Sequence, residues 1–304
     1  MDLTNPIFQD ENAARKHLEG ILWPDGPTCP HCGEYENIKK LAGKSHRPGL
    51  HQCNSCRGAF TVTVGTVLER SKIPLHKWVL GFHLIASSKK GMSAHQLHRM
   101  LGVTYKTAWF MAHRIREAMR EFSPGPMGGE NKVVEADETF VGGKAKNAKR
   151  GKPIPKKEAV FSLLERDGKV RSTHLPAVNH KNLRPAIFTQ VDRKSYLMTD
   201  EAMHYKGIGK EFAGHGSVNH SIDEYVRGVF WHTNTIEGYF SILKRGINGT
   251  YQHVSQQHLK RYLGEFDFRY NERKITDAER AAKALYGIQG KRLTYRRTDE
   301  TANA

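Results

Sequence analysis

Two pairs of cysteines constrain this chain more than any other feature. Cys29 and Cys32 form the first pair, Cys53 and Cys56 form the second, and twenty residues separate the pairs. Each Cys-x-x-Cys turn offers two sulfurs to one metal, and the spacing is that of a ribbon with four thiolate ligands. We therefore predict a structural zinc ion, because four sulfurs leave no open position for a substrate. Two incidental pairs of buried thiols are the alternative.

Helical spacing of apolar residues predicts three helices after the cysteine pairs. The second begins at Ser93 and ends at Gly102, and Thr104 is placed to begin the third. A tight turn between two helices is typical of a helix-turn-helix. The predicted third helix carries side chains suited to phosphate and base-edge contacts: Tyr105, Lys106, His113, Arg114 and Arg116. A helical hairpin with no binding role is the alternative.

The charge of the chain indicates a polyanionic partner. Lys and Arg outnumber Asp and Glu by 48 to 31 in 304 residues, which gives a formal net charge of +17. Nucleic acid is the partner that fits, and double-stranded DNA fits a helix-turn-helix. The sequence shows neither a signal peptide nor a long apolar stretch, so we expect a cytoplasmic protein with no membrane partner.

The rest of the chain predicts a mixed sheet covered by helices, and hence an α+β class. Strands are predicted at 132–141, 158–164, 169–177 and 195–199, and helices near 181–191, 233–246 and 256–271. The predicted domains are an N-terminal helix (1–22), a zinc ribbon (23–70), a helix-turn-helix region (71–120), a linker (121–130), a catalytic domain (131–290) and a tail (291–304).

Three acidic residues stand where carboxylates could converge. Asp137 lies inside the first predicted strand among apolar neighbours, and Asp200 follows the fourth strand. Glu237 lies in a predicted helix, with Lys244 two helical turns further on the same face. Carboxylates converging from strands and a helix suit two Mg²⁺ or Mn²⁺ ions and phosphoryl transfer. Glu135, Glu138 and Glu201 are nearby, but strand or helix phase is expected to point them elsewhere.

A basic loop between the first two predicted strands of this domain could hold the DNA backbone. Residues 142–157 include seven Lys or Arg residues, and those we assign to DNA are Lys144, Lys146, Lys149 and Arg150. The alternative is a disordered loop that only keeps the chain in solution, and such loops often become ordered on binding.

Several motifs resemble those of DDE-type transposases of bacterial insertion sequences, in the ISXO-like group that carries a zinc ribbon. They are Trp23-Pro-Asp-Gly before the first cysteine pair, Gly65-Thr-Val-Leu-Glu, Ala136-Asp-Glu-Thr, Thr199-Asp-Glu, and His232-Thr-Asn-Thr-Ile-Glu running to Lys244-Arg-Gly. The likeness covers nearly the whole chain.

This resemblance implies a ribonuclease-H-like catalytic fold and a DNA transposase. Its catalytic residues would be Asp137, Asp200 and either Glu237 or Asn234, followed by Lys244. We favour Glu237, because a carboxylate is the better Mg²⁺ ligand. The resemblance also implies a homo-oligomer that joins two element ends on nucleoid DNA. The rival hypotheses are a zinc-ribbon transcription regulator without catalysis, a nuclease that does not join strands, and an inactive copy.

Overall fold

The backbone of this chain divides into two units. A computed structural model describes residues 2–122, 124–143, 156–200, 203–205, 207–218 and 233–294. The first unit comprises Met1–Arg120 together with Ile275–Ala304, and the second comprises Glu121–Lys274. Each unit therefore has its own core, and the first is built from both ends of the chain.

The cysteines of the first unit lie in and beside a small three-stranded antiparallel sheet. Strand β1 (Ile38–Lys40) pairs with β2 (His51–Cys53), and β2 pairs with β3 (Ala59–Phe60). Phe60 is fully buried against Cys29 and Cys53, with Trp23 packed at the side. An apolar cluster this small is too limited to hold a fold without a further crosslink.

Four helices of the first unit precede the linker. They are α1 (Glu11–Leu22), α2 (Leu75–Ser87), α3 (Ala94–Leu101) and α4 (Tyr105–Met119). Between the last two, Gly102 adopts φ +59°, and the Thr104 side chain caps α4 by accepting a hydrogen bond from the Thr107 amide. A left-handed glycine followed by a threonine cap is what allows the chain to turn so tightly. The predicted helix-turn-helix is present.

A further helix, α8 (Asp277–Tyr286), belongs to this first unit and was absent from the sequence prediction. Thr276 and Glu279 begin it with a complete capping box. Leu285 and Ile288 are almost fully buried in the core of the unit. The predicted boundary of the catalytic domain at residue 290 is therefore wrong, because the chain leaves the sheet unit after Lys274.

The C-terminal segment also satisfies the ends of earlier helices. Arg280 donates to the Ala86 carbonyl of α2, and Gln289 donates to the Leu22 carbonyl of α1. The Lys291 ammonium donates to two carbonyls at the end of α4, those of Ala118 and Arg120. Cations at helix C-termini complement the helix dipole as well as the unpaired carbonyls. Lys291 was predicted to lie in a tail, yet it is a capping residue.

The second unit is a five-stranded mixed sheet. Its strands are β4 (Val133–Val141), β5 (Glu158–Glu165), β6 (Val170–Leu175), β7 (Tyr196–Asp200) and β8 (Gly214–Val218). They lie in the order β6-β5-β4-β7-β8, with β5 antiparallel to both its neighbours and β4, β7 and β8 parallel. This order is that of the ribonuclease-H-like fold, as the resemblance implied.

Helices cover both faces of this sheet. Helices α6 (Asn234–Gly246) and α7 (Gln256–Asn271) pack on the face of β4 that includes Val141, while α5 (His180–Phe188) packs on the face that includes Val134. The central strands are therefore covered on both sides, which explains why six consecutive residues of β5 are buried. Within the predicted linker, Met127 is buried on the α5 side and bridges Val191, so part of that segment is core.

Side chains of α7 cover the edge strand of the sheet. Asn271 accepts a hydrogen bond from the Val170 amide and donates to the same residue's carbonyl, and Asp267 accepts from the Ser172 amide. Backbone groups of an edge strand otherwise remain open to pairing with another chain.

Among the described residues, no helix is long and apolar enough to cross a membrane.

We expect Leu285→Ala to destabilise the first unit by about 2–5 kcal/mol, because it would leave a cavity in a tightly packed core. Leu285 is 1% exposed and its neighbour Tyr286 is 59% exposed, so Tyr286→Ala is the matched control and should cost little. Urea unfolding followed by tryptophan fluorescence measures both, since Trp78 is buried in the same unit. Equal stability of the two variants would contradict the assignment of α8 to this core.

Candidate active site and cysteine cluster

The four cysteine sulfurs lie together. All four Sγ atoms are within 4.8 Å of one another, and the distances Cys29–Cys56 and Cys32–Cys53 are both 3.7 Å. Four thiolates around one tetrahedral zinc, at about 2.3 Å each, have sulfurs about 3.8 Å apart. The cluster therefore has the dimensions of a four-thiolate metal site.

Local backbone geometry brings these sulfurs inward. The Gly33 amide donates to the Cys29 carbonyl and the Cys53 amide donates to the Gly58 carbonyl, both at 2.9 Å. The residue after each pair, Gly33 or Arg57, has a positive φ, of 79° and 62° respectively. The two knuckles thus share a turn conformation that a short Cys-x-x-Cys motif dictates.

The predicted acidic residues meet beside two neighbouring strands inside the sheet, β4 and β7. In the parallel pairing of β4 with β7, Glu135 lies opposite Met198, and Asp137 and Asp200 each follow two residues later. Helix α6 brings Glu237 to the same place. A cavity of about 520 Å³ is lined by Asp137, Glu138, Thr139, Asp200, Glu237, Phe240, Ser241, Lys244 and Arg245. Strand register and helix packing together produce this cluster.

One face of α6 supplies both charges that the sequence placed on it. Glu237 and Lys244 line the cavity, while Tyr239 and Leu243 on the opposite face are buried in the core. Asn234, the other candidate for the third catalytic position, is the first residue of α6; it is exposed and is not among the lining residues. Arg245 also lines the cavity, which the sequence analysis did not predict.

Burial and, after it, mutual repulsion raise the pKa of two of the cavity carboxylates, Asp137 and Glu138. Burial, followed by the negative charges of Glu138, Asp200 and Glu237, raises the pKa of Asp137 to about 7, although the Glu138 amide opposes the rise by donating to it at 2.7 Å. Burial and the charge of Asp200 also raise the pKa of Glu138. Carboxylates crowded in this way attract cations strongly.

Glu138 is a lining residue that the sequence analysis set aside. Strand alternation directs it to the other face of β4 from Asp137, yet Glu138 lines the cavity together with Asp137 and Thr139. The Tyr205 hydroxyl donates to Glu138 at 2.5 Å, which fixes this carboxylate. Tyr205 belongs to a short 3₁₀ turn, Met203–Tyr205, that follows β7.

The helix-turn-helix side chains predicted to contact DNA divide into two groups. Tyr105 and Lys106 are exposed at the start of α4, and the Tyr105 ring stacks on His95 with centroids 4.3 Å apart. His113 and Arg116 are almost fully buried, so their prediction as surface residues is wrong. The helix is buried on more of its circumference than its apolar stripe indicated, because α8 packs on it as well.

Arg114 occupies an intermediate position on α4. Its guanidinium donates to the Leu293 and Glu69 carbonyls, at 3.3 and 3.4 Å, and lies 4.7 Å from the centre of the Phe110 ring. Burial, and then the positive charge of Arg292, lower its pKa. These contacts within the first unit compete with a role in binding DNA. The predicted loop residues Lys144, Lys146, Lys149 and Arg150 lie outside the described residues.

Carboxylates gathered at the edge of a ribonuclease-H-like sheet are typical of enzymes that cut or join nucleic acid strands with divalent cations. Residues 127–271 match the family described as ISXO2-like transposase domain, and residues 9–58 match the transposase zinc-ribbon domain. The chain therefore belongs to the ISXO2-like transposases of insertion sequences, a family of DNA-transposing enzymes.

Two further comparisons give relatives of this chain. An uncharacterized protein in transposable element ISH50 of Halobacterium salinarum is 27% identical over 281 residues, covering 86% of this chain and 91% of the relative. Among solved structures, the Mos1 strand transfer complex is similar with a TM-score of 0.27 and 12% identity, over 69% of this chain and 74% of that chain.

We expect Asp137→Asn to stabilise the metal-free protein at pH 8 by roughly 1–3 kcal/mol, because it removes a charge from a crowded, mostly buried group. The carboxyl has its ordinary pKa of 3.8 when unfolded and about 7 when folded. The protonated form therefore stabilises the wild type at low pH, and this contribution is lost as pH rises through about 7. The advantage of the variant should accordingly shrink toward pH 5.

Chemical unfolding at pH 5, 6.5 and 8, in a metal-depleted buffer without EDTA, measures the difference in unfolding free energy between wild type and Asp137→Asn. Glu211→Gln is a control of opposite sign, since Arg184 and Arg193 hydrogen-bond to Glu211 and lower its pKa. That variant should gain no stability at any pH. A constant difference between wild type and Asp137→Asn across the three pH values would contradict the prediction.

Proposed function

We propose that this chain cuts the ends of an insertion sequence and joins them to target DNA, with Asp137, Asp200 and Glu237 as ligands of two divalent cations. The observation that supports this proposal is the single cavity that these carboxylates line together with Lys244 and Arg245. Mg²⁺ and Mn²⁺ prefer hard oxygen ligands, so the donor set fits them. Glu237 is the better third ligand than Asn234, because Glu237 lines the cavity.

The residues of the chain divide the work between the metals and the DNA. Two divalent cations, when bound, supply positive charge that activates the attacking oxygen and stabilises the leaving oxygen. Asp137, Asp200 and Glu237 hold those charges in place. Lys244 and Arg245, at the other end of the cavity-lining face of α6, bind phosphate oxygens and so position the scissile bond.

The chemistry consists of two displacements at phosphorus. In the first, a water oxygen attacks the phosphorus at the element's end, the bond to the 3′-oxygen breaks, and a proton from water goes to that oxygen. In the second, the freed 3′-hydroxyl attacks a phosphorus of target DNA and the target's own 3′-oxygen leaves with the proton. Each displacement is complete in itself, so a covalent enzyme intermediate is not required.

The proposal includes further DNA contacts besides those of Lys244 and Arg245. Tyr105 and Lys106 at the exposed start of α4 are placed to contact DNA, whereas Arg114 is already engaged within its own unit. The basic residues of 142–157 would contact the backbone near the metals. A homo-oligomer in the cytoplasm would hold two element ends together on nucleoid DNA.

Strand cleavage and joining on DNA with the element's own ends test this proposal. Asp137→Ala, Asp200→Ala and Glu237→Ala should each lower both activities by at least about a hundredfold, as loss of a charge-stabilising group does. Asn234→Ala is the matched control for Glu237→Ala, one helical turn away on α6, and should retain activity. All four variants should still bind the DNA in a gel-shift assay.

Two results would contradict the proposal in different ways. Loss of activity in Asn234→Ala with retention in Glu237→Ala would transfer the third position to Asn234. Tight, specific DNA binding by a wild-type chain that neither cleaves nor joins would favour a zinc-ribbon regulator instead.

We also propose that the cysteine cluster binds one structural zinc ion per chain. Cys56→Ser should lose this ion and lower the stability of the ribbon, because the apolar cluster there is small and metal binding is part of its folding free energy. Elemental analysis after gel filtration measures the zinc content. His31→Ala is the matched control, since the His31 ring lies beside Cys56 and Gly58. Zinc retained by Cys56→Ser, or lost from His31→Ala, would contradict the four-thiolate assignment.

A further inference from the structure

We propose that Glu135 is a positioning residue for the metal site: its buried carboxylate holds the first turn of α6 so that Glu237 stays at the cavity. The inference rests on the proposed function, because it takes Glu237 as a metal ligand. It assigns a role to a residue that the sequence predicted to point elsewhere, although Glu135 and Asp137 lie two residues apart and hence on the same face of β4.

Glu135 is a fully buried carboxylate with three partner residues on two segments of the chain. It is 0% exposed. It accepts hydrogen bonds from the Arg166 guanidinium at 2.7 Å, from the Thr235 hydroxyl at 3.0 Å and from the Ile236 amide at 2.9 Å. Thr235 and Ile236 are the two residues directly before Glu237. The carboxylate therefore contacts the helix turn that carries the proposed ligand.

The start of α6 uses Glu135 in place of an ordinary cap. Thr233 is the residue before the helix, but its hydroxyl donates to the Glu237 carboxylate at 3.3 Å and does not cap the helix. The Ile236 amide, which such a cap would normally satisfy, donates to Glu135. A carboxylate at this end also complements the positive pole of the helix dipole. The cap of α6 is thus supplied by the sheet.

This arrangement connects two proposed ligands through rigid parts. Glu135 and Asp137 lie two residues apart in β4, which pairs with β5 and β7 on its two sides. Their separation is about 7 Å and is fixed by the strand. The position of Glu237 relative to Asp137 therefore depends on the hydrogen bonds that Glu135 makes to α6.

Stability alone is a weak reason for a charge at this place. Burying a carboxylate costs several kcal/mol before any partner is counted, and a well-packed apolar pair is often at least as stable as a buried ion pair. The bonds from Glu135 to the helix start are directional, which an apolar contact is not. Directional contacts restrict where the helix lies, and metal ligands need to be held to within about 0.5 Å.

Manganese binding to the full chain, measured by electron paramagnetic resonance without DNA, tests the proposal. Glu135→Gln should weaken Mn²⁺ binding by about tenfold, the usual effect of removing a group that orients a ligand. In the cleavage assay, the Mn²⁺ concentration for half-maximal rate should rise by a similar factor. The rate at saturating Mn²⁺ should stay within about threefold of wild type.

Two further variants separate positioning from a general loss of stability. Glu265→Gln is the matched control: Glu265 is also 0% exposed and pairs with Arg269 and Tyr251, away from the start of α6. It should leave Mn²⁺ affinity unchanged. Thr235→Val removes one hydrogen-bond donor to Glu135 and leaves the pair between Glu135 and Arg166 intact. It therefore tests the positioning role if Glu135→Gln does not fold. It should weaken Mn²⁺ binding by about threefold.

The outcomes distinguish this inference from the proposed function. Wild-type Mn²⁺ affinity in Thr235→Val and in folded Glu135→Gln would overturn the positioning role, as would an equal loss in Glu265→Gln. Unchanged Mn²⁺ affinity in Asp137→Ala and Glu237→Ala would overturn the metal site itself. Weaker binding in those two variants alone would leave the proposed function standing without this inference.

Discussion

The pairing of β4 with its two neighbours is the constraint on which the rest of the second unit depends. Parallel hydrogen bonding to β7 sets Asp137 and Asp200 at matching positions on two neighbouring strands. Antiparallel pairing to β5 leaves β4 in the middle of the sheet, with helices on both faces. A strand so enclosed cannot shift its register without moving its whole apolar set to the wrong face. Its acidic side chains are therefore fixed in space.

Crowding these carboxylates lowers the stability of the metal-free fold, and the surrounding structure offsets that cost. The raised pKa of Asp137 reflects its burial first and then repulsion from Glu138, Asp200 and Glu237. Glu135 makes the opposite contribution from the same strand, since it is buried but satisfied by Arg166 and by the start of α6. Strand β4 thus carries two carboxylates in different surroundings. Asp137 lies among other carboxylates, whereas Glu135 pairs with Arg166.

The two proposed metal sites use different chemistry because they have different tasks. Four cysteines offer soft sulfur ligands and close the coordination of a structural ion, whereas the sheet edge offers hard oxygens around an open cavity. The apolar cluster of the ribbon is small, so a metal ion bound there would add to its stability. The helices of its unit are completed from the other end of the chain, through Leu285 in the core and Lys291 at the end of α4.

The sequence by itself determined the local features. The cysteine spacing predicted the cluster, and apolar periodicity predicted α2 to α7 and β4 to β7 to within a few residues. Acidic residues inside β4, at the end of β7 and on α6 indicated the cavity. Three features needed the tertiary structure. Strand β8 is a glycine-rich segment without alternation, α8 joins a unit far back in the sequence, and Arg116 is almost fully buried within that unit. Periodicity reports which face of an element is apolar, but only packing between distant segments decides what covers it.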